Sequence, residues 1–239
     1  MYYTACAENR QGNNLARIVG LLAGLPQQVG GVTVNRFCGS SMQAIHMAAA
    51  YIEAGIGEAY LCLGVESMTM VPQGGFHFTP NPRVKEAYIS MGETAENVAA
   101  QFQVSRLDQE ELALSSHQKA AHAQAQGWLR DEIVPISQEG NTIDQDGCIR
   151  PSTSLEALAK LAPAFRADGV VTAGTSSPLT DGASAVLVTS PEYAARYKIT
   201  PMARIVTLAT VGCDPALMGM GPVPATHKAL QRAGLRVQD

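Results

Sequence analysis

Residues 30–65, "GGVTVNRFCGSSMQAIHMAAAYIEAGIGEAYLCLGV", switch hydrophobic period twice, and this double switch narrows the folds open to the chain more than any other feature. "GGVTVNRF" is short and β-branched, as a strand is. Met42, Ile45, Ala49 and Ile52 then recur at the spacing of a helix face, before "AYLCLGV" returns to a strand-sized apolar run. Such a strand-helix-strand unit belongs to an α/β fold. Cys38 stands at its first turn, where a strand gives way to a helix.

The rest of the chain extends this reading. From about Gln73 to Ser177 the texture is turn-rich ("PQGGFHFTPNPR") and then helical, with few strands. Ser105 and Asp108 mark the start of one helix and Gly127 its stop, while Thr153 and Glu156 form the capping-box pattern of a helix ending near Pro163. This predicts a mostly helical insertion carried by the α/β fold. "ASAVLVTS" reads as a returning strand, Ser190-Pro191 as a helix start, "MARIVTLATVG" as another strand, and "PVPATHKALQRAG" as a helix closed by Gly234.

Composition excludes several functions. Of 239 residues 46% are hydrophobic and 16% charged, enough to build a sizeable core. A net charge of −4 with no basic run argues against nucleic acid. The longest apolar runs are too short for a membrane span, and the first residues lack the pattern of a signal peptide. Five scattered cysteines without CxxC spacing read as free thiols of a reducing compartment. His117 and His122 lie about 140° apart around a helix, so no metal site is expected. Gly219-Met220-Gly221 lacks the third glycine of a dinucleotide loop, and Glu66 reads as a structural hydrogen-bond partner after a strand.

Cys38 has two readings on these residues alone. The start of a helix favours a thiolate, Gly39 permits close approach, and Ser40 and Ser41 offer capping oxygens, although the GxSxG elbow pattern is absent. A free cysteine is equally at home as a small buried hydrophobe.

"VNRFCGSSMQAIHMAAAYIEAGIGEAYLCLGVESMTMVP" resembles the nucleophile segment of the thiolases, acyl-CoA C-acyltransferases that cleave or form 3-ketoacyl-CoA. The resemblance continues in order through "MGETAENVA", "RLDQEELALSSHQKA", "DEIVPI", "LAKLAPAF", "VTAGTSSPLTDGASAVLV", "ATVGCDPALMGMGPVPA" and "KALQRAG". It implies a thiolase-like layered α/β fold with a helical loop domain. The boundaries would be 1–72 for the N-terminal domain, 73–177 for the CoA-binding loop domain, 178–190 for the return strand, and 191–239 for a linker and the start of the C-terminal domain.

The same resemblance makes Cys38 the acylated nucleophile. It places Met91 beside the acyl chain, Arg150 at the CoA nucleotide and Ser177 at the pantetheine arm. Without it, Met91 reads as packing, Arg150 as a solvated charge and Ser177 as a turn residue. Ser90, where biosynthetic acetoacetyl-CoA thiolases carry histidine, favours the degradative bacterial branch. Coenzyme A is then the co-substrate, with no other cofactor and no metal. A homodimer or tetramer and a β-oxidation multienzyme partner are expected, in the cytoplasm of a bacterium or an organelle of a eukaryote.

The family's opening strand and its "NEAF", "GHP" and "CxGxG" segments are absent from this sequence. An internal fragment is therefore expected, with a first sheet lacking its central strand, no turnover alone and poor solubility unless other chains cover its surfaces. The alternatives are acetoacetyl-CoA thiolase and a non-catalytic CoA-binding or assembly module.

Overall fold

The computed structural model describes residues 2–5, 14–70 and 78–239, the first group as backbone. In chain order the elements are β1 (Tyr2–Ala5), α1 (Leu15–Leu22), β2 (Gly31–Val34), α2 (Ser40–Glu53), β3 (Ala59–Glu66), α3 (Met91–Phe102), α4 (Arg106–Ala125), β4 (Ile136–Gln138), β5 (Asn141–Ile143), α5 (Leu155–Ala159), β6 (Gly182–Thr189), α6 (Pro191–Arg196) and α7 (Pro222–Ala233). Cys6 and residues 72–77 of the turn-rich stretch lie outside the described residues. The chain divides into two compact units: residues 1–76, 179–209 and 227–239 form one, and residues 77–178 with 210–226 the other.

The first unit is built on a four-stranded sheet in the order β2-β1-β3-β6. β1 runs parallel to both β2 and β3, and β6 runs antiparallel to β3 along all eight of its residues, Ala59 opposite Thr189 through Glu66 opposite Gly182. β1 stands between β2 and β3 and joins the four strands into one sheet. Its pairing with β3 is brief, Tyr2 with Leu61 and Tyr3 with Cys62.

Helix α2 lies on this sheet through small residues. Ser40, Ala44 and Ala48 are its buried line, and with Tyr60, Cys62 and Val188 the two alanines form the core that Val32, Val34, Ile45 and Ile52 flank. The expected stripe is thus shifted: Met42 is exposed, and Ile45 and Ile52 sit beside the contact rather than in it. Close approach explains the shift. A Cβ on Gly64 of β3 would come within 3.1 Å of Ser41 Cβ and 2.9 Å of Ser184 Oγ, so only glycine leaves room for the first turn of α2. Asn14 fixes α1 in a similar way, capping its first turn and donating from Nδ2 to the Gly31 carbonyl.

In the second unit, α4 begins where the sequence places it. Ser105 and Asp108 form a reciprocal capping box, and Gly127 ends the helical region at φ +72°. Helix α5 is capped by Ser154 rather than Thr153, one residue later than expected. The Arg106 guanidinium binds Glu110 and donates to the carbonyls of Leu158, Ala159 and Leu161, satisfying the end of α5. Among the described residues, the strands of this unit are the short hairpin β4-β5. "MARIVTLATVG" is not a strand. Strand propensity is realised where an adjacent edge supplies ladder bonds, and no described strand pairs with residues 202–212.

Candidate active site

The sheet unit delivers Cys38 on a tight turn. β2 ends at Val34, and one turn of 3-10 helix, Phe37–Gly39, leads into α2. Asn35 Oδ1 accepts the Phe37 N–H at 2.9 Å, and the Gly39 N–H donates to the Arg36 carbonyl at 3.0 Å. The fully buried Ser40 is the pin of the turn: its hydroxyl donates to the Phe37 carbonyl at 2.6 Å and accepts the Arg36 N–H at 2.7 Å. It is therefore not the helix cap expected from the sequence. The N-cap is Gly39, which provides no side-chain bond to the first turn.

Phe37 adopts φ +47°, in the left-handed region that a residue with a Cβ enters at a cost. This backbone reversal directly precedes Cys38 and leaves it exposed. Nearby on α2, His46 has its basicity lowered by burial and then by the positive charge of Arg36. Both effects favour its neutral form. An exposed thiol beside a strained turn is open to a substrate, which suits nucleophilic attack. The sequence identified the strand-to-helix switch but missed Phe37 and the pinning role of Ser40.

Cys62 has the opposite environment. It is buried in β3, and burial pushes its thiol up to about 11. Cys148 is half-buried and Cys213 exposed, each a free thiol. Glu66 accepts the Ser67 N–H, as its structural reading expects. No group of three or more His, Cys, Asp or Glu among the described residues is placed to hold a metal ion.

The other three site residues belong to the helical unit. Met91 is the first residue of α3, with Ser90 as its N-cap, and it is 64% exposed, so it does not serve as core packing. Arg150 is exposed on the segment before α5, its backbone N–H donating to His117 Nδ1 at 3.2 Å. Ser177 is exposed in the segment after the 3-10 turn Ala173–Thr175. No hydrogen bond joins these three to one another among the described residues. An open cleft of about 470 Å³ in this unit, lined by Phe78, Pro80, Lys85 and Tyr88, includes none of them.

Residues 1–192 match the family model for the thiolase N-terminal domain, and residues 199–239 match that for the thiolase C-terminal domain. The chain belongs to the thiolase family. A 3-ketoacyl-CoA thiolase of Vibrio cholerae is 49% identical over 248 aligned positions that include 99% of this chain and 64% of that protein. A 3-oxoadipyl-CoA/3-oxo-5,6-dehydrosuberyl-CoA thiolase of Escherichia coli is 45% identical, over 95% of this chain and 63% of that one. Among solved structures, human mitochondrial 3-ketoacyl-CoA thiolase in complex with CoA superimposes with a TM-score of 0.88 at 35% identity, covering 99% of this chain and 64% of that one. Acetyl-CoA acetyltransferase from Syntrophomonas wolfei gives 0.90 at 32%, covering 65% of its length. This thiolase chain thus spans slightly under two thirds of the relatives it matches, and its α/β architecture is theirs.

Proposed function

We propose that the chain is the nucleophile-bearing part of a thiolase that cleaves 3-ketoacyl-CoA with coenzyme A. Cys38 carries the acyl group. The observation that supports this most is the exposure of Cys38 on the Phe37 turn at the start of α2, within a family whose sequence relatives are named 3-ketoacyl-CoA thiolases.

In this reaction the Cys38 thiolate attacks the 3-keto carbon. The C2–C3 bond breaks, its electron pair passes to C2, and C2 takes a proton as acetyl-CoA departs. The acyl group stays on sulfur as a thioester until the thiolate of a second CoA displaces Cys38. Backbone N–H groups at the start of α2, that of Cys38 among them, are the donors suited to the developing oxyanion. Met91 lies beside the acyl chain, Arg150 binds the CoA nucleotide and Ser177 meets the pantetheine arm, so residues 73–177 act as the CoA-holding domain. The boundaries 1–72, 178–190 and 191–239 for the remaining parts complete this assignment. The family's activating histidine and second cysteine sit in "GHP" and "CxGxG" segments that this sequence does not contain, so turnover requires a chain that carries them.

The whole enzyme is expected to work as a homodimer or tetramer. Bacterial relatives favour the cytoplasm, whereas the human structural relative is mitochondrial. The proposal is tested by thiolysis of 3-ketoacyl-CoA substrates of four and ten carbons, using a longer chain that includes the three missing segments. Cleavage of both, lost in Cys38→Ala, is the expected result. Cleavage of acetoacetyl-CoA alone would make it an acetoacetyl-CoA thiolase, and CoA binding without any cleavage would leave a binding module.

A further inference from the structure

Ser177 sits outside any helix or strand, yet the backbone leading to it is fastened at almost every step, and the fastening begins at one buried carboxylate. Glu96, on α3, is 4% exposed. Its Oε1 accepts the Val171 N–H at 2.9 Å and the Val170 N–H at 3.1 Å, and its Oε2 accepts Val170 at 3.0 Å. Gly169 makes this possible, because a Cβ there would collide with Glu96 Oε1. Arg166 ties the same segment to the same helix, donating from Nε to Glu93 Oε2 and from a terminal nitrogen to Asn97 Oδ1, each at 2.7 Å.

From Val171 the order is passed along the chain. Thr172 is fully buried, its N–H donates to Thr175 Oγ1 at 3.0 Å, and its carbonyl accepts the Ser176 hydroxyl at 2.8 Å. Gly174 is pressed against Leu158 and Leu161, where a Cβ would clash with both. Ser177 follows immediately. A carboxylate accepting backbone N–H groups makes bonds roughly twice as strong as neutral ones, and in a buried site they hold their geometry.

We infer that Glu96 is the positioning residue for Ser177: it anchors residues 170–171 to the helix that begins with Met91, and so sets where the Ser177 hydroxyl is presented to coenzyme A. This deepens the proposed function and rests on it for the role of Ser177. Glu96 touches no substrate and acts through the strap alone. In the sequence this role is marked only by a charged residue in "MGETAENVA" on the same helix face as Gly92 and Ala99.

The test uses the full 239-residue chain. Glu96→Gln keeps the shape but replaces one acceptor oxygen with a donor facing an N–H. Hydrogen exchange of the amides of residues 171–177 is expected to accelerate about tenfold while α4 is unchanged, and the Kd for CoA to rise about tenfold. In a Ser177→Ala background the same substitution is expected to change that Kd by less than about twofold, because the two residues act in series. Gly169→Ala, which displaces the carboxylate from the other side, gives the same pattern and replaces Glu96→Gln if that variant does not fold. Unchanged exchange at residues 173–177, or equal losses of CoA affinity with and without the Ser177 hydroxyl, would overturn the inference. If the unsubstituted chain does not bind CoA, the proposed function fails, and exchange alone then decides whether Glu96 orders the strap.

Discussion

Phe37 holds a left-handed backbone, φ +47°, with its ring 66% exposed, so little packing compensates the strain. Phe37→Gly should relieve about 1 kcal/mol of it and leave urea stability equal or higher. Phe37→Val, with a β-branched side chain in the same turn, should cost about 1–2 kcal/mol. Equal stability for both variants would contradict the strain. Cys38 and Cys62 make a second prediction. At pH 7.5 iodoacetamide should modify Cys38, which is exposed, and spare Cys62, which is buried with its thiol raised to about 11, as peptide mass mapping would show. Because Cys62 is raised from 9.0 to about 11, the unfolded chain loses that proton first, so Cys62 should make stability fall as pH climbs between those values. Cys62→Ala should flatten this slope in urea melts from pH 8 to 11. Cys38 was legible in the sequence because hydrophobic period changes around it. Phe37 was not, since phenylalanine has no preference for positive φ, and Ser40 was misread because a serine at a helix start usually caps rather than pins the preceding turn.

Helices declare their ends through side chains, and those ends were mostly legible. Ser105 Oγ accepts the Asp108 N–H at 3.1 Å and the Asp108 carboxylate answers the Ser105 N–H at 2.9 Å, so Ser105→Ala should destabilise the chain by about 1 kcal/mol in urea melts. An unchanged midpoint would show that α4 does not depend on its box. Helix α5 was placed one residue early because Thr153 and Glu156 match a capping box, whereas the hydroxyl that caps the helix, accepting the Ala157 N–H, is that of Ser154. Packing between elements was less legible. Gly92 on α3 faces the Phe165 ring so closely that any Cβ would overlap it. Gly92→Ala should therefore cost about 1–3 kcal/mol, far beyond the effect of an exposed helical Gly→Ala change, which is stabilising. The segment 202–212 failed as a strand for a related reason: its residues have the right propensity, but pairing is a property of two segments, and the sequence of one does not contain it.

At the scale of the whole molecule, the exposed apolar surface of the sheet unit stands out. On β6, Val186 is 50% and Leu187 48% exposed although they point to opposite faces, and among the described residues β6 pairs on one side only. An apolar edge strand of this kind promotes association between copies. Val186→Lys should slow aggregation at 37 °C, followed by light scattering, and scattering equal to the parent chain would remove β6 as the cause. The α/β class and the thiolase family were both readable from sequence, whereas the continuity of the sheet through β1 was not, since strand order arises from which edges meet. The proposed reaction depends above all on Cys38 as the acyl-carrying residue. Intact-mass analysis after incubation with acetyl-CoA tests it most directly, on a chain extended through the "NEAF", "GHP" and "CxGxG" segments and on its Cys38→Ala variant. One acetyl group, mapped to Cys38 and absent from the variant, is the predicted result. A folded, CoA-binding chain that stays unacylated, or that carries the acetyl group on another residue, would contradict it.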